Sequence, residues 1–208
     1  MIPGEGSSTV AVVLAAGASS RMGRPKALLD FDGRSCLDLV LATCREAGVT
    51  TIVLVTGPQG GALRARCAGT IEAVNPRPER GMLSSLQAGL RQLPGDAAAF
   101  LLFPVDFPLV PAAEVRRLVD SFARRAPGQR IFIPSFNNHR GHPALVDAGL
   151  APAFLALDDG SSARAVMTAH ESEIAYLEAA DDRVLMDLDT PEDYQRCLER
   201  YRRETTHG

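Results

Sequence analysis

The sequence predicts a three-layer α/β/α sandwich around a mostly parallel, Rossmann-like sheet. Three observations lead there. Short apolar runs alternate with amphipathic stretches, the pattern of strands linked by crossover helices. The runs are continuous rather than alternating, as strands covered on both faces require. The chain has 208 residues, 46% of them hydrophobic and 23% charged, which suits one domain with a buried core and excludes overall disorder.

Val10–Ala15 is the first strand, and Leu37–Ala47 a helix with an apolar stripe of Leu37, Leu39, Val40, Leu41 and Cys44, closed by Gly48. Thr51–Thr56 is the second strand, stopped by Gly57-Pro58. A short helical piece follows around Ala62–Cys67, then a strand at Ile71–Val74 and a helix over Met82–Leu93. Ala97–Phe103 is a fourth buried strand. Ala112–Arg125 is a helix with Val115, Leu118, Val119 and Phe122 on one side, and Ile131–Ile133 a fifth strand.

The last third alternates less strictly. His142–Val146, Ile174–Leu177 and Val184–Met186 read as strands and Ser161–His170 as a helix. Pro191–Arg203 is a closing helix with Thr190 as N-cap, Pro191 at its first position and Glu192 and Asp193 in its first turn. No Pro-, Gly- or Ser-rich linker and no repeat divides the chain. Residues 1–208 therefore read as a single domain, with a flexible N-terminus over 1–9 and an insertion over 134–180.

With 25 acidic against 22 basic residues, the chain lacks the basic excess that binding nucleic acid or a membrane surface needs. No apolar run reaches the ~20 residues of a membrane span. The first nine residues lack the basic region of a signal peptide, so the expected location is cytoplasmic. Cys36, Cys44, Cys67 and Cys197 are scattered without metal-ligand spacing and read as reduced thiols. All but one of the 22 basic residues are arginine, and the exception is Lys26. A compact ammonium is needed there, or the position is chance.

Ligands of open α/β sheets collect at the carboxyl ends of strands. The first strand ends in Leu14-Ala15-Ala16-Gly17-Ala18-Ser19-Ser20-Arg21-Met22-Gly23-Arg24-Pro25-Lys26. Small residues let the backbone approach a ligand, and Arg21, Arg24 and Lys26 add positive charge, a combination suited to a polyphosphate. It is not a P-loop: five residues separate Gly17 from Gly23, and Ala27 follows Lys26. Nor is it a dinucleotide fingerprint, because Ser19 stands where the second glycine belongs. Arg21 and Arg24 have the alternative of being solvated surface charges.

Further along, Asn75-Pro76 leads to Gly81-Met82-Leu83-Ser84-Ser85 at a helix N-terminus, where free N–H groups and hydroxyls can meet a ligand or merely cap the helix. Asp106, after the fourth apolar strand, is too far upstream to cap the next helix and suits Mg²⁺, which takes one or two carboxylates plus substrate phosphates. Asp187 and Asp189 alternate along an extended segment, so only one of them reaches such a metal. Asp189 is the candidate, with helix capping as its competing task.

The stretch Leu14–Leu29 resembles the signature of the MobA-like nucleotidyltransferases: strand, Leu-Ala-Ala-Gly, small residues, Arg-Met-Gly, then Lys after Pro. Within that group it is most similar to the molybdenum cofactor cytidylyltransferase branch, with a fold of the nucleotide-diphospho-sugar transferase type. The resemblance implies catalytic roles for Arg21, Lys26 and Asp106. It implies nucleotide contacts from Leu14, Ala15, Ala16, Gly17, Arg21, Lys26, Asn75, Gly81, Met82 and Ser85, and Mg²⁺ on Asp106 and Asp189. Gly141-His142-Pro143 matches the branch's acceptor side, implying that His142 meets the acceptor and that 134–180 is an acceptor-side insertion. Arg164 either binds an anionic acceptor or pairs with Asp158 or Asp159.

The implied reaction moves CMP from CTP to the phosphate of molybdenum cofactor and releases pyrophosphate. An acceptor phosphate is largely ionised near neutral pH, so no protein nucleophile or strong base is needed. No Ser/His/Asp or Cys/His set is recognisable in the sequence. Ala16 leans toward cytidylyl transfer, since relatives with Leu-Ala-Gly-Gly favour GTP. GTP or a sugar phosphate within the same fold, or a non-catalytic molybdenum cofactor carrier or chaperone, are the alternatives. A molybdoenzyme or its chaperone is the implied protein partner.

Overall fold

The computed structural model describes residues 8–17, 25–64 and 68–206. Its first part comprises β1 (Ser8–Leu14), the hairpin β2 (Asp30–Phe31) and β3 (Arg34–Ser35), α1 (Cys36–Glu46), β4 (Thr51–Thr56), α2 (Gly61–Arg64) and β5 (Ile71–Val74). Then come α3 (Met82–Leu90), β6 (Ala97–Pro104), α4 (Ala112–Ala123), β7 (Ile131–Phe136), β8 (His139–Arg140) and β9 (Ala144–Asp147). The chain continues through α5 (Ala151–Leu155), α6 (Ala163–Ala169), β10 (Ile174–Glu178) and α7 (Pro191–Thr206).

The sheet runs β10-β7-β9-β6-β1-β4-β5, with β8 paired to β7. β1 is parallel to both β4 and β6, whereas β9 runs antiparallel between β6 and β7. After β1 the chain builds outward through β4 and β5, then returns to place β6 on the other side. That reversal opens a crevice at the carboxyl ends of β1 and β6.

Period-two geometry splits each apolar run between two cores. Ala11 and Val13 of β1 join Ile52, Leu54, Leu101 and Phe103 against α1, α4 and α7. Val10, Val12 and Leu14 join Val53, Val55, Phe100 and Leu102 against α3, α5 and α6. Both faces are covered, so the three-layer sandwich is the observed architecture. α3 comes especially close: a Cβ on Gly89 would lie 2.5 Å from a Val12 methyl and 2.8 Å from one of Val55.

Capping boxes set two helix starts. Ser35 and Asp38 exchange backbone and side-chain hydrogen bonds at α1. Thr190 and Asp193 do the same at α7, so Thr190 is the cap as expected. The β2–β3 hairpin turns through Asp32 and Gly33, both at positive φ, and packs Phe31 edge-on against Tyr194 and Tyr201 of α7.

Several expectations need correction. Val184–Met186 is not a strand: residues Asp182–Leu185 form a 3₁₀ turn opened by Asp181, whose carboxylate accepts from the Arg183 N–H. Ser8 and Thr9 belong to β1 rather than to a flexible terminus, while residues 1–7 lie outside the described set. Segment 134–180, read as an insertion, supplies β9, which is paired on both sides, and the edge strand β10. The helix expected over Ser161–His170 is α6, and the one expected over Met82–Leu93 ends at Leu90. Among the described residues, no helix is long and apolar enough to cross a membrane.

Candidate active site

A cleft of about 380 Å³ opens where the topology reverses. Leu14, Ala15, Ala16 and Gly17 form its floor, Lys26 and Asp189 one side, Asp106 the end of β6, and Gly81, Met82 and Ser85 the opposite wall. Pro25, Ala27, Pro78, Pro104 and Val105 complete the lining; Pro25 and Ala27 belong to the loop signature, and the sequence carried no chemical signal for the other three.

The floor is held by strand-like bonds beyond the strand ends. Ala15 N–H donates to the Val55 carbonyl at 2.8 Å, and Val105 N–H to the Leu14 carbonyl at 3.1 Å. With these groups committed, the small side chains let the remaining backbone approach a ligand closely.

The charged centre combines residues far apart in the chain. Lys26 Nζ donates to Asp189 Oδ1 at 2.6 Å and to Asp106 Oδ2 at 3.2 Å. Burial pulls the Lys26 ammonium down, but the Asp189 hydrogen bond and the Asp106 charge outweigh it, so its pKa lies above the ordinary value. Asp187 is raised by burial and by the nearby charges of Asp189 and Asp106. It lies beside the acidic centre without lining the cleft, whereas Asp189 lines it. Asp193 and Thr190 make the capping box of α7, so Asp189 is not the cap, and its carboxylate bonds Lys26.

Asp106 Oδ1 is buried and has no hydrogen-bond partner among the described residues. An unpaired buried carboxylate oxygen is costly unless a ligand completes it. Two carboxylates with one open oxygen suit a hard divalent cation that takes its other ligands from phosphate and water. No cluster of three or more His, Cys, Asp or Glu able to hold a metal occurs among the described residues, so substrate oxygens would have to supply the rest.

On the other wall, Gly81 adopts φ 89° and caps the start of α3 without a side-chain hydrogen bond, and Gly81, Met82 and Ser85 line the cleft there. Asn75 is buried beneath this wall and outside the lining. Its amide donates to Ser84 and Ser85 hydroxyls at 2.9 and 3.0 Å and accepts from Arg77 N–H at 3.0 Å. All its usual hydrogen-bonding groups are thus engaged in holding β5 to the start of α3.

His142 lies beyond the acidic centre, packed on Phe107. Burial lowers its pKa, against the opposing charge of Asp106. Arg164 is exposed on α6 and does not line the cleft. The expected partner Asp159 instead forms an ion pair with Arg80. Arg21 and Arg24 lie outside the described residues, as does Cys67.

The pattern of the MobA-like NTP transferase domain matches residues 11–174. The nicotine blue oxidoreductase of Paenarthrobacter nicotinovorans is 33% identical, over 90% of this chain and 95% of that protein. The molybdenum cofactor guanylyltransferase of Xanthomonas euvesicatoria is 30% identical over 90% and 93%. The molybdenum cofactor cytidylyltransferase of Escherichia coli is 26% identical over 91% and 95%. Among solved structures, a Mycobacterium tuberculosis protein crystallised with manganese is 27% identical, with a TM-score of 0.72 over 92% of this chain and 98% of that one.

Proposed function

Since the chain belongs to the MobA-like NTP transferase family, we propose that it transfers CMP from CTP to the phosphate of molybdenum cofactor and releases pyrophosphate. One observation carries this reading: Lys26, Asp106 and Asp189 converge at the end of a small-residue loop, beside an open helix N-terminus. An acceptor phosphate oxygen forms the new bond to the α-phosphorus while the bond to the β-phosphate oxygen breaks, and pyrophosphate carries away the electron pair.

The protein's task is positioning and charge neutralisation rather than proton transfer. The Leu14–Gly17 backbone holds the nucleotide, Lys26 offsets charge on the phosphates, and the Met82–Ser85 wall borders the nucleoside. Asn75 acts from beneath that wall through the two serines. Asp106 and Asp189 would hold Mg²⁺, which supplies Lewis-acid polarisation of the phosphoryl oxygens when bound. The manganese complex of the mycobacterial structure supports a divalent ion in this fold. Arg21 is assigned the reacting phosphates on the strength of the loop signature alone.

The cytidylyl preference rests on Ala16 and on similarity to the Escherichia coli cytidylyltransferase. The Xanthomonas relative supports GTP as the competing donor. The test incubates purified protein with Mg²⁺, molybdenum cofactor and each of the four NTPs in turn, and measures pyrophosphate. Release with CTP is the expected result. Release with GTP would move the protein to the guanylyl branch, and tight cofactor binding without release would make it a carrier. The Paenarthrobacter relative is named for a redox reaction, so oxidation of a nicotinamide nucleotide is followed in parallel. Such oxidation without pyrophosphate release would refute the transferase reading.

A further inference from the structure

Phe107 follows the cleft carboxylate Asp106 and packs at a tilt against the His142 imidazole, with ring centroids 4.6 Å apart and planes inclined by 50°. The His142 backbone is tied down as well: its N–H donates to the Val184 carbonyl at 2.9 Å, and Gly141 N–H donates to the Pro134 carbonyl at 2.7 Å. A Cβ at Gly141 would fall 2.6 Å from that same Val184 oxygen, so the absence of a side chain permits the contact. Val184 belongs to the turn that leads into Asp187 and Asp189. His142 is therefore held between the two segments that deliver the carboxylates, its ring by Phe107 and its backbone by Val184.

His142 Nδ1 is buried and has no hydrogen-bond partner among the described residues. Orphaned buried N–H groups are rarer than under-satisfied acceptors, so the ring is best accommodated with Nδ1 unprotonated and its proton on Nε2. We infer that Phe107 is a positioning residue that holds His142 as a neutral imidazole whose single donor is Nε2–H. The chemistry this offers is one hydrogen bond to an oxyanion of the second substrate. That use rests on the transfer reading above, but the tautomer itself does not. The lowered pKa from burial agrees with a neutral ring.

The test is long-range ¹H–¹⁵N correlation of the full chain labelled with ¹⁵N-histidine, which holds only four imidazoles, with His142→Gln identifying the signal. At neutral pH, His142 is expected to show the Nε2–H pattern. Phe107→Leu is expected to replace it with the averaged pattern of a mobile ring, and Phe107→Tyr to preserve it. An Nδ1–H or averaged pattern for His142 in the unmodified protein overturns the proposal, whatever the Phe107 variants do. An unchanged pattern in folded Phe107→Leu overturns the role of Phe107. In the transfer assay, Phe107→Leu should raise the KM for molybdenum cofactor on the order of tenfold, the worth of one charged hydrogen bond, and leave that for CTP unchanged. An equal rise in both overturns the positioning role. Absence of pyrophosphate release from the unmodified protein would defeat the transfer reading while leaving the tautomer result to stand, so the two failures are distinguishable.

Discussion

Replacing Lys26 with alanine removes a cation held 2.6 Å from Asp189 and 3.2 Å from Asp106, and the structure separates its effects on stability and turnover. The Asp189 side chain is 50% exposed, so water screens that pair and its loss costs at most about 1 kcal/mol. The Asp106 side chain is only 25% exposed, and taking the ammonium from it costs about 1 kcal/mol more. For a domain of this size the two together are a fall in Tm of about 4–8 °C. Turnover is another matter, because a fixed charged donor at developing phosphate charge is worth about 10²–10³ in kcat. The assay is pyrophosphate release at saturating CTP, with thermal melting run with and without Mg²⁺. Added Mg²⁺ should stabilise Lys26→Ala more than the unmodified protein, since it faces two carboxylates and no ammonium. Lys26→Arg should keep the fold but also turn over poorly, because a planar fork does not replace a point charge in this confined position. Turnover within tenfold of the unmodified protein would refute the reasoning. So would a fall in Tm beyond about 10 °C, which would make Lys26 chiefly structural.

Asp106→Asn should reduce turnover at least as much as Lys26→Ala and weaken Mn²⁺ binding measured by electron paramagnetic resonance; unchanged Mn²⁺ affinity would remove Asp106 from the metal site. Gly89→Ala gains about 1 kcal/mol of helix propensity but overpacks Val12 and Val55 by about 1–3 kcal/mol or more, so its Tm in calorimetry should fall rather than rise. Burial pushes the Cys44 and Cys197 thiols up to about 12, and Cys36 is also raised well above the ordinary range. Peptide mapping after alkylation of the native protein should find these three unlabelled, whereas labelling without unfolding would show them to be accessible. The same shifts have a consequence for stability. Folded thiols keep protons that unfolded ones release, so this contribution is intact below about pH 9 and is lost as pH rises toward about 12. Denaturant midpoints measured across that range should decline.

The large elements were legible because local chemistry and tertiary environment agree. Val10–Ala15 is apolar throughout because β1 is buried on both faces, and Thr190 precedes Pro191 and Asp193 because an N-cap is a local hydrogen-bonding problem. The β2–β3 hairpin was missed although Asp32-Gly33 is its turn signal, since two-residue strands are too short to show a period. Val184–Met186 looked like a strand because an apolar triplet does not distinguish an extended segment from a buried turn.

The site divides along the same line. Its loop, its lysine and its two aspartates could be named one at a time, because each sits in a recognisable run of neighbours. Asn75 was chosen for the nucleotide and bonds Ser84, Ser85 and Arg77 beneath the wall, and Arg164 does not line the active-site cleft while Arg80 takes Asp159. Phe107 carried no signal at all. Short-range patterns in the chain determine strands, caps and the composition of a phosphate-binding loop, because those depend on neighbours a few residues apart. Only tertiary structure decided that residues 26, 106 and 189 share one ammonium, and which polar groups are already spent on each other, because hydrogen bonds between distant segments exist only once the sheet brings those segments within reach.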